Sequence, residues 1–321
     1  MLSTLLPIFV NVIAPILLLI ALGGLVHRQF RMDVEALNRL AVYVLVPAFL
    51  FVKVYESRLS LTDLGVITYG VLVPVFTLGL LLYLLFRALS TPGRDIAVLL
   101  VSGLVFNAGN FGLPVAELFY ERLGVVFPGM QSPSDGAAVQ AIIIMISNLS
   151  VWFFGYGVIR LGQGHGLRGT LGFFRLPMIY VLVAAFVFRQ SEITLPGAVY
   201  APLQMLAAAT VPIMLLTLGA QLSETTQSPP WRLVGPVLVI KLLLLPAATA
   251  GGVWWFGLWP WPGAQLIIAA AAPTAVNVMV LSIQLEGDAH TAASCVFWTT
   301  LAAAVTVTCV LALVQHAATG G

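Results

Sequence analysis

Charge is the scarcest property of this 321-residue chain. Only 8% of its residues are Asp, Glu, Lys or Arg, while 60% are hydrophobic, and the mean hydropathy is +1.04. A soluble domain carries about 25% charged residues, so this composition excludes a water-soluble globule and indicates a polytopic membrane protein. No basic run suggests nucleic acid and no acidic tail is present. Cysteine is scarce as well. Cys295 and Cys309 fall in one apolar segment, about 21 Å apart along a helix, too far to bridge, and they give no metal site. There is no H-E-x-x-H, no G-x-S-x-G, no Walker A pattern and no aspartate-rich diphosphate site, so the sequence points away from a membrane enzyme, a primary pump and a bound cofactor.

Long apolar runs dominate instead. A spanning helix needs roughly 20 mostly apolar residues. Ten segments qualify, at 4–26, 35–55, 64–89, 94–119, 137–160, 170–189, 197–222, 231–257, 262–285 and 290–315. The stretch behind Met1-Leu2-Ser3-Thr4 lacks a basic n-region and is too long for a signal h-region, so it reads as a retained first span. The longest connection, 120–136, holds Pro128, Gly129, Pro133 and Gly136 and reads as an irregular loop.

Loops after odd-numbered spans carry Arg28, Arg31, Arg39, Arg87, Arg94, Arg160, Arg168, Arg175 and Arg232; those after even-numbered spans carry Lys53, Arg58, Arg122 and Arg189. The excess places the odd loops in the cytoplasm and both termini outside, in the cell's inner (plasma) membrane. The run Trp254-Trp255-Phe256-Gly257-Leu258-Trp259-Pro260-Trp261 then suits the outer interfacial belt. His27, His165, His290 and His316 all fall at span ends or in loops.

The two halves echo each other. Leu6-Pro7-Ile8-Phe9-Val10 resembles Leu176-Pro177-Met178-Ile179-Tyr180, Val46-Pro47 matches Val211-Pro212, and Asn110 matches Asn277. Five spans per half is an odd number, so the second half enters the membrane in the opposite sense and the repeat is inverted. The expected fold is all-α, ten transmembrane helices as a 5+5 inverted repeat, with halves at 1–160 and 170–321.

Two spans are broken at corresponding places, at Asn107-Ala108-Gly109-Asn110-Phe111-Gly112-Leu113-Pro114 in span 4 and at Ala272-Pro273-Thr274-Ala275-Val276-Asn277 in span 9. Lipid offers a broken backbone no hydrogen bonds, so such breaks survive only where they are buried in protein or line a cavity. Paired breaks in repeated halves are the best sequence pointer to a transporter's binding site.

The span 4 string N-A-G-N-F-G-L-P resembles the signature of the auxin efflux carrier family, and P-T-A-V-N-V-M-V-L-S followed by G-D-A-H-T-A-A-S is similar to its second signature. Val211 to Gly219 resembles the family's span 7 and Lys241-Leu-Leu-Leu-Leu-Pro246 its span 8. Plant PIN-type members carry a large insertion between spans 5 and 6. Here only a short Gly/Arg-rich loop at 160–169 stands there, so the chain looks like a short-loop prokaryotic member. The resemblance implies a homodimeric carrier of organic anions such as small carboxylates. It also implies a scaffold part (spans 1, 2, 6 and 7) and a mobile transport part (spans 3–5 and 8–10) working as an elevator.

Half-helix N-termini and neutral amides suit a carboxylate. Asn110 and Asn277 are therefore expected to bind the substrate head group, or else only to satisfy the broken backbone. Asn107 is expected to act beside them or to repair the break. Pro114 and Pro273 would hold the breaks open, Gly109 and Gly112 would allow close crossing, and Thr274 belongs to the same site. Lys241 is the one basic residue these span limits put deep in the bilayer. It either neutralises the anion, takes the place of a coupling cation, or snorkels to the cytoplasmic face. Glu117, about 10 Å from Asn110 along a helix, is a candidate proton carrier, whereas Glu286 and Asp288 read as solvated. The polar groups Asn11, Ser147, Asn148, Ser150, Thr217 and Gln284 read mostly as interhelical hydrogen-bond partners. A sodium- or proton-coupled transporter on the same fold is the alternative, and a sensor without transport stays open.

Overall fold

The computed structural model describes residues 2–57, 59–150, 177–224, 228–284 and 288–319. Among these the regular structure is helical: α1 (Thr4–Phe30), α2 (Val34–Glu56), α3 (Leu61–Ala88), α4 (Gly93–Leu104), α5 (108–122), α6 (Ser134–Ser150), α7 (Pro177–Gln190), α8 (Gly197–Ser223), α9 (Trp231–Trp255), α10 (Gly263–Ala270), α11 (Asn277–Gln284) and α12 (Ala289–Thr319). Six of the described helices are long and apolar enough to cross a membrane: α1, α2, α3, α8, α9 and α12. The other four expected spans fall short for visible reasons. Spans 4 and 9 are each cut into two short helices, α4 with α5 and α10 with α11. Span 5 runs past the described part of α6, and span 6 begins before α7. The loop at 160–169, with Arg160, Arg168 and His165, lies outside the described residues, as do Arg58, Arg175 and Glu286; so do the side chains of Arg94, Ser150 and Gln284.

Prolines shape the long helices. Four wide π-turns, at Phe9–Ile13, Ala41–Leu45, Ala108–Gly112 and Ile240–Leu244, each end two residues before a proline: Pro15, Pro47, Pro114 and Pro246. Proline has no N–H to give to the preceding turn and its ring crowds the carbonyl four residues back, so the turn opens. Between helices, Thr210 of α8 donates to the Leu45 carbonyl of α2 at 3.1 Å. Helix ends are capped in the ordinary way. Ser60 and Asp63 form a reciprocal capping box that starts α3 at Leu61, three residues before the apolar run suggests. Asp33 and Asp288 cap α2 and α12.

Packing centres on α8, which lies along α1 and also against α2, while α7 lies along α2. In lipid there is little hydrophobic force between helices, so small residues that let backbones approach supply contact. Gly219 of α8 meets α1 so closely that a Cβ there would stand 1.9 Å from the Ile20 carbonyl oxygen; one on Gly23 would stand 2.1 Å from the Leu216 carbonyl oxygen. On the other side, the C-terminal half of α9 packs on α3 and α10, and α12 packs on the start of α9 and on α11.

Lys53 departs from its sequence assignment. It is not a loop cation but a buried residue of α2, and its ammonium meets Glu121 at 2.6 Å and Glu117 at 3.2 Å, both on α5. Asn11 and Thr217, read as interhelical partners, bond back to the Pro7 and Ile213 carbonyls of their own helices.

Candidate functional site at two interrupted helices

The two interruptions meet. Phe106 and Thr274 form an isolated antiparallel bridge, in which Asn107 N–H donates to the Pro273 carbonyl at 2.7 Å and Ala275 N–H to the Val105 carbonyl at 3.2 Å. Each broken backbone thus supplies part of what the other lacks, which is how non-helical chain is tolerated at depth.

The remaining polar groups are satisfied differently at the two breaks. At the first, Asn107 is buried and caps α5, its Oδ1 accepting from Asn110 N–H at 3.0 Å. Its Nδ2 meets no acceptor among the described residues. From α6, Gln140 Nε2 donates to the Ala108 carbonyl at 2.6 Å and Ser147 to the Phe106 carbonyl at 3.3 Å. Gln265 of α10 in turn donates to Gln140 Oε1 at 2.6 Å. At the second break, Thr274 is buried; its N–H donates to Thr299 Oγ1 at 3.0 Å and its hydroxyl to the Ser102 carbonyl near the end of α4 at 2.7 Å.

Lys241 reaches the same place and does not snorkel. It is fully buried, donates from Nζ to the Ala270 carbonyl at the end of α10 at 2.9 Å, and sits 5.0 Å from the centre of the Phe106 ring. A cation is favoured at both contacts: the helix C-terminus carries a partial negative charge, and the ring face is negative.

The crossing therefore has a closed side, formed by Asn107, Thr274 and Lys241, and a more open one. Asn110 is half-buried, Asn277 is exposed, and Asn277 Nδ2 donates to Asn148 Oδ1 of α6 at 3.1 Å. Both open-side segments face one stretch of α8. A Cβ on Gly109 would lie 3.1 Å from Met214 Cε, and Val276 shares a cluster with Leu218, one turn further along α8. Gly112 instead meets α6, where a Cβ would stand 2.6 Å from Gln140 Nε2. The two glycines thus allow close approach to α8 and α6 rather than to the other broken helix. Pro114 is buried in the first turn after the π-turn, and the Pro273 carbonyl accepts the bridge hydrogen bond from Asn107 N–H. Glu117 lies away from the bridge, in the Lys53 ion-pair cluster. A groove of about 770 Å³ along α3, lined by Leu64, Thr68, Tyr69, Leu72 and Phe76, belongs to neither break.

Sequence reasoning missed Gln140, Gln265, Ser102 and Thr299. A signal existed for the two glutamines: each stands alone in a long apolar run, Ala137–Ile146 and Ala264–Ala272, where a polar side chain needs a partner.

Two comparisons bear on identity. The family model described as "Membrane transport protein" matches residues 170–311. A protein of Methanothermobacter thermautotrophicus called an uncharacterized transporter is 23% identical over 276 residues, which covers 86% of this chain and 87% of the relative.

Proposed function

We propose, from the membership of the auxin efflux carrier family that both matches support, that this multi-pass membrane transporter is a secondary carrier of a small organic anion, a carboxylate. It binds the anion where the interrupted helices cross and works by elevator-type alternating access. One observation carries the reading: the two interruptions are bridged to each other, with Asn110 and Asn277 beside two helix starts that face the same stretch of α8. Helix starts and neutral amides suit a carboxylate head group. In this reading α1, α2, α7 and α8 are the scaffold, and the remaining helices carry the site past it. The carrier is an inner-membrane homodimer with ten spans in two inverted halves and both termini outside. Pro114 and Pro273 hold the breaks open.

The test is ligand-dependent thermal stability of the purified protein with acetate, benzoate, indole-3-acetate, malonate, succinate and sodium chloride. A compound that binds the native state raises its melting temperature by mass action. The expected result is stabilisation by a carboxylate, lost in the Asn110→Ala/Asn277→Ala double variant. Unchanged stabilisation in that variant removes the two asparagines from the site, and stabilisation by sodium alone replaces the anion reading with a cation-coupled one. Flux into reconstituted vesicles separates a carrier from a sensor.

A proton-coupled carrier draws support from a separate feature, the Lys53 cluster, where two carboxylates share a single ammonium. It predicts that an imposed pH gradient drives uptake and that Glu117→Gln abolishes the drive.

A further inference from the structure

We infer that Lys241 gives the empty carrier a fixed positive charge that a bound monocarboxylate cancels, so that the membrane potential acts on the return of the empty site rather than on the loaded one. This rests on the carrier reading above.

The two buried lysines are handled in opposite ways. Lys53 is matched by two carboxylates. Lys241 makes no ion pair among the described residues, where Glu35, Asp95, Glu117, Glu121 and Glu224 are each joined to other side chains. Neither break string contains Asp or Glu. What Lys241 has instead, a helix C-terminal carbonyl and an aromatic face, are partners that attract an ammonium without neutralising it.

An uncompensated charge in a medium of low dielectric acts over several ångströms. Phe106, under the ammonium, is one helical turn in sequence from Asn110, and Ala270 is equally close to Thr274. A carboxylate held by the asparagine amides lies within reach of that field without touching Lys241. One carboxylate balances one ammonium. A second would find no second cation at the crossing among the described residues, so the site prefers monoanions to dianions.

Lys241 sits on α9, which the carrier reading assigns to the moving part. The loaded site then crosses with no net charge, and the empty one crosses with one positive charge. An inside-negative potential draws the empty site inward, where it reloads, so net flow of the anion is outward. A single charge moved through the whole field changes the ratio of inward- to outward-facing empty carriers by up to about fifty-fold per 100 mV.

The test is transient charge movement after voltage steps, in voltage-clamped membranes holding the full-length protein and no organic anion. The expected result is a saturable movement of up to about one elementary charge per carrier. Acetate or benzoate should suppress it and succinate should not. It should persist in Lys241→Arg and vanish in Lys241→Met. Absence of the movement in wild type, its survival in Lys241→Met, or equal suppression by succinate overturns the proposal. The wild-type measurement stands even if Lys241→Met does not fold. Flux of radiolabelled acetate and benzoate is followed in parallel. Flux without the charge movement overturns this inference and leaves the carrier reading intact; absence of flux for every anion tested overturns both.

Discussion

The two interruptions answer one structural problem with different chemistry. Each leaves carbonyls exposed at the end of the helix that precedes it. Near the end of α4, the Ser102 carbonyl is met by the hydroxyl of Thr274. At the end of α10, the Ala270 carbonyl is met by the ammonium of Lys241. The first break is further repaired by neutral amides, Asn107 from its own chain and Gln140 from α6. A neutral donor would have served at both places if backbone repair were the only requirement. An ionisable side chain stands at the second break where neutral ones serve the first, and ionisable groups inside a membrane are costly enough to mark function.

Four substitutions sharpen or break this contrast. Lys241→Met should have the largest effect, because it removes a charge-assisted bond worth about 1.5–3 kcal/mol together with the field at the site. Carboxylate flux in vesicles should fall about tenfold or more, and flux within a factor of two of wild type would erase the distinction between the breaks. Gln140→Leu should come next. It leaves the Ala108 carbonyl and the Gln265 amide unpaired, at about 2 kcal/mol for buried groups, which a melting curve of the purified protein reads directly. Asn107→Ala loses the cap of α5, a change of about 1 kcal/mol; a variant as stable as wild type would show that the bridge alone holds the first break. Thr274→Val is the mildest. Hydrogen bonds between membrane helices average about 0.6 kcal/mol, so its melting temperature should drop measurably while carboxylate stabilisation persists.

The tight α1–α8 contact offers a control away from the site. Gly219→Ala places a methyl group against the Ile20 carbonyl and should destabilise by about 1–3 kcal/mol. By the scaffold assignment it should do so without changing which anion stabilises the protein.

Much of the site could be read in the chain. Asn107, Asn110, Pro273 and Asn277 stand out because such residues are poor helix formers in otherwise unbroken apolar runs. Lys241 stands out because its charge lies some ten residues beyond the start of its helix. Gln140 and Gln265 were just as visible as isolated polar residues, but nothing along the chain ties one to the other or to Ala108, since their partnership spans 125 positions of sequence. Lys53 was misread for the opposite reason. It lies near the C-terminal end of α2, where a lysine ordinarily reaches water, and only the fold brings Glu117 and Glu121 to it.

Composition and periodicity by themselves determined that this chain lives in a membrane, that it is helical, and where its helices are interrupted, because hydropathy and helix-breaking are properties of neighbouring residues. Tertiary structure alone decided that the interruptions pair with each other, that Gly109 and Val276, next to the two asparagines, approach one helix, and that Lys241 ends on a carbonyl and an aromatic ring instead of a carboxylate. Those are meetings between residues far apart in sequence, and the free energy of a buried charge or amide depends on what it meets.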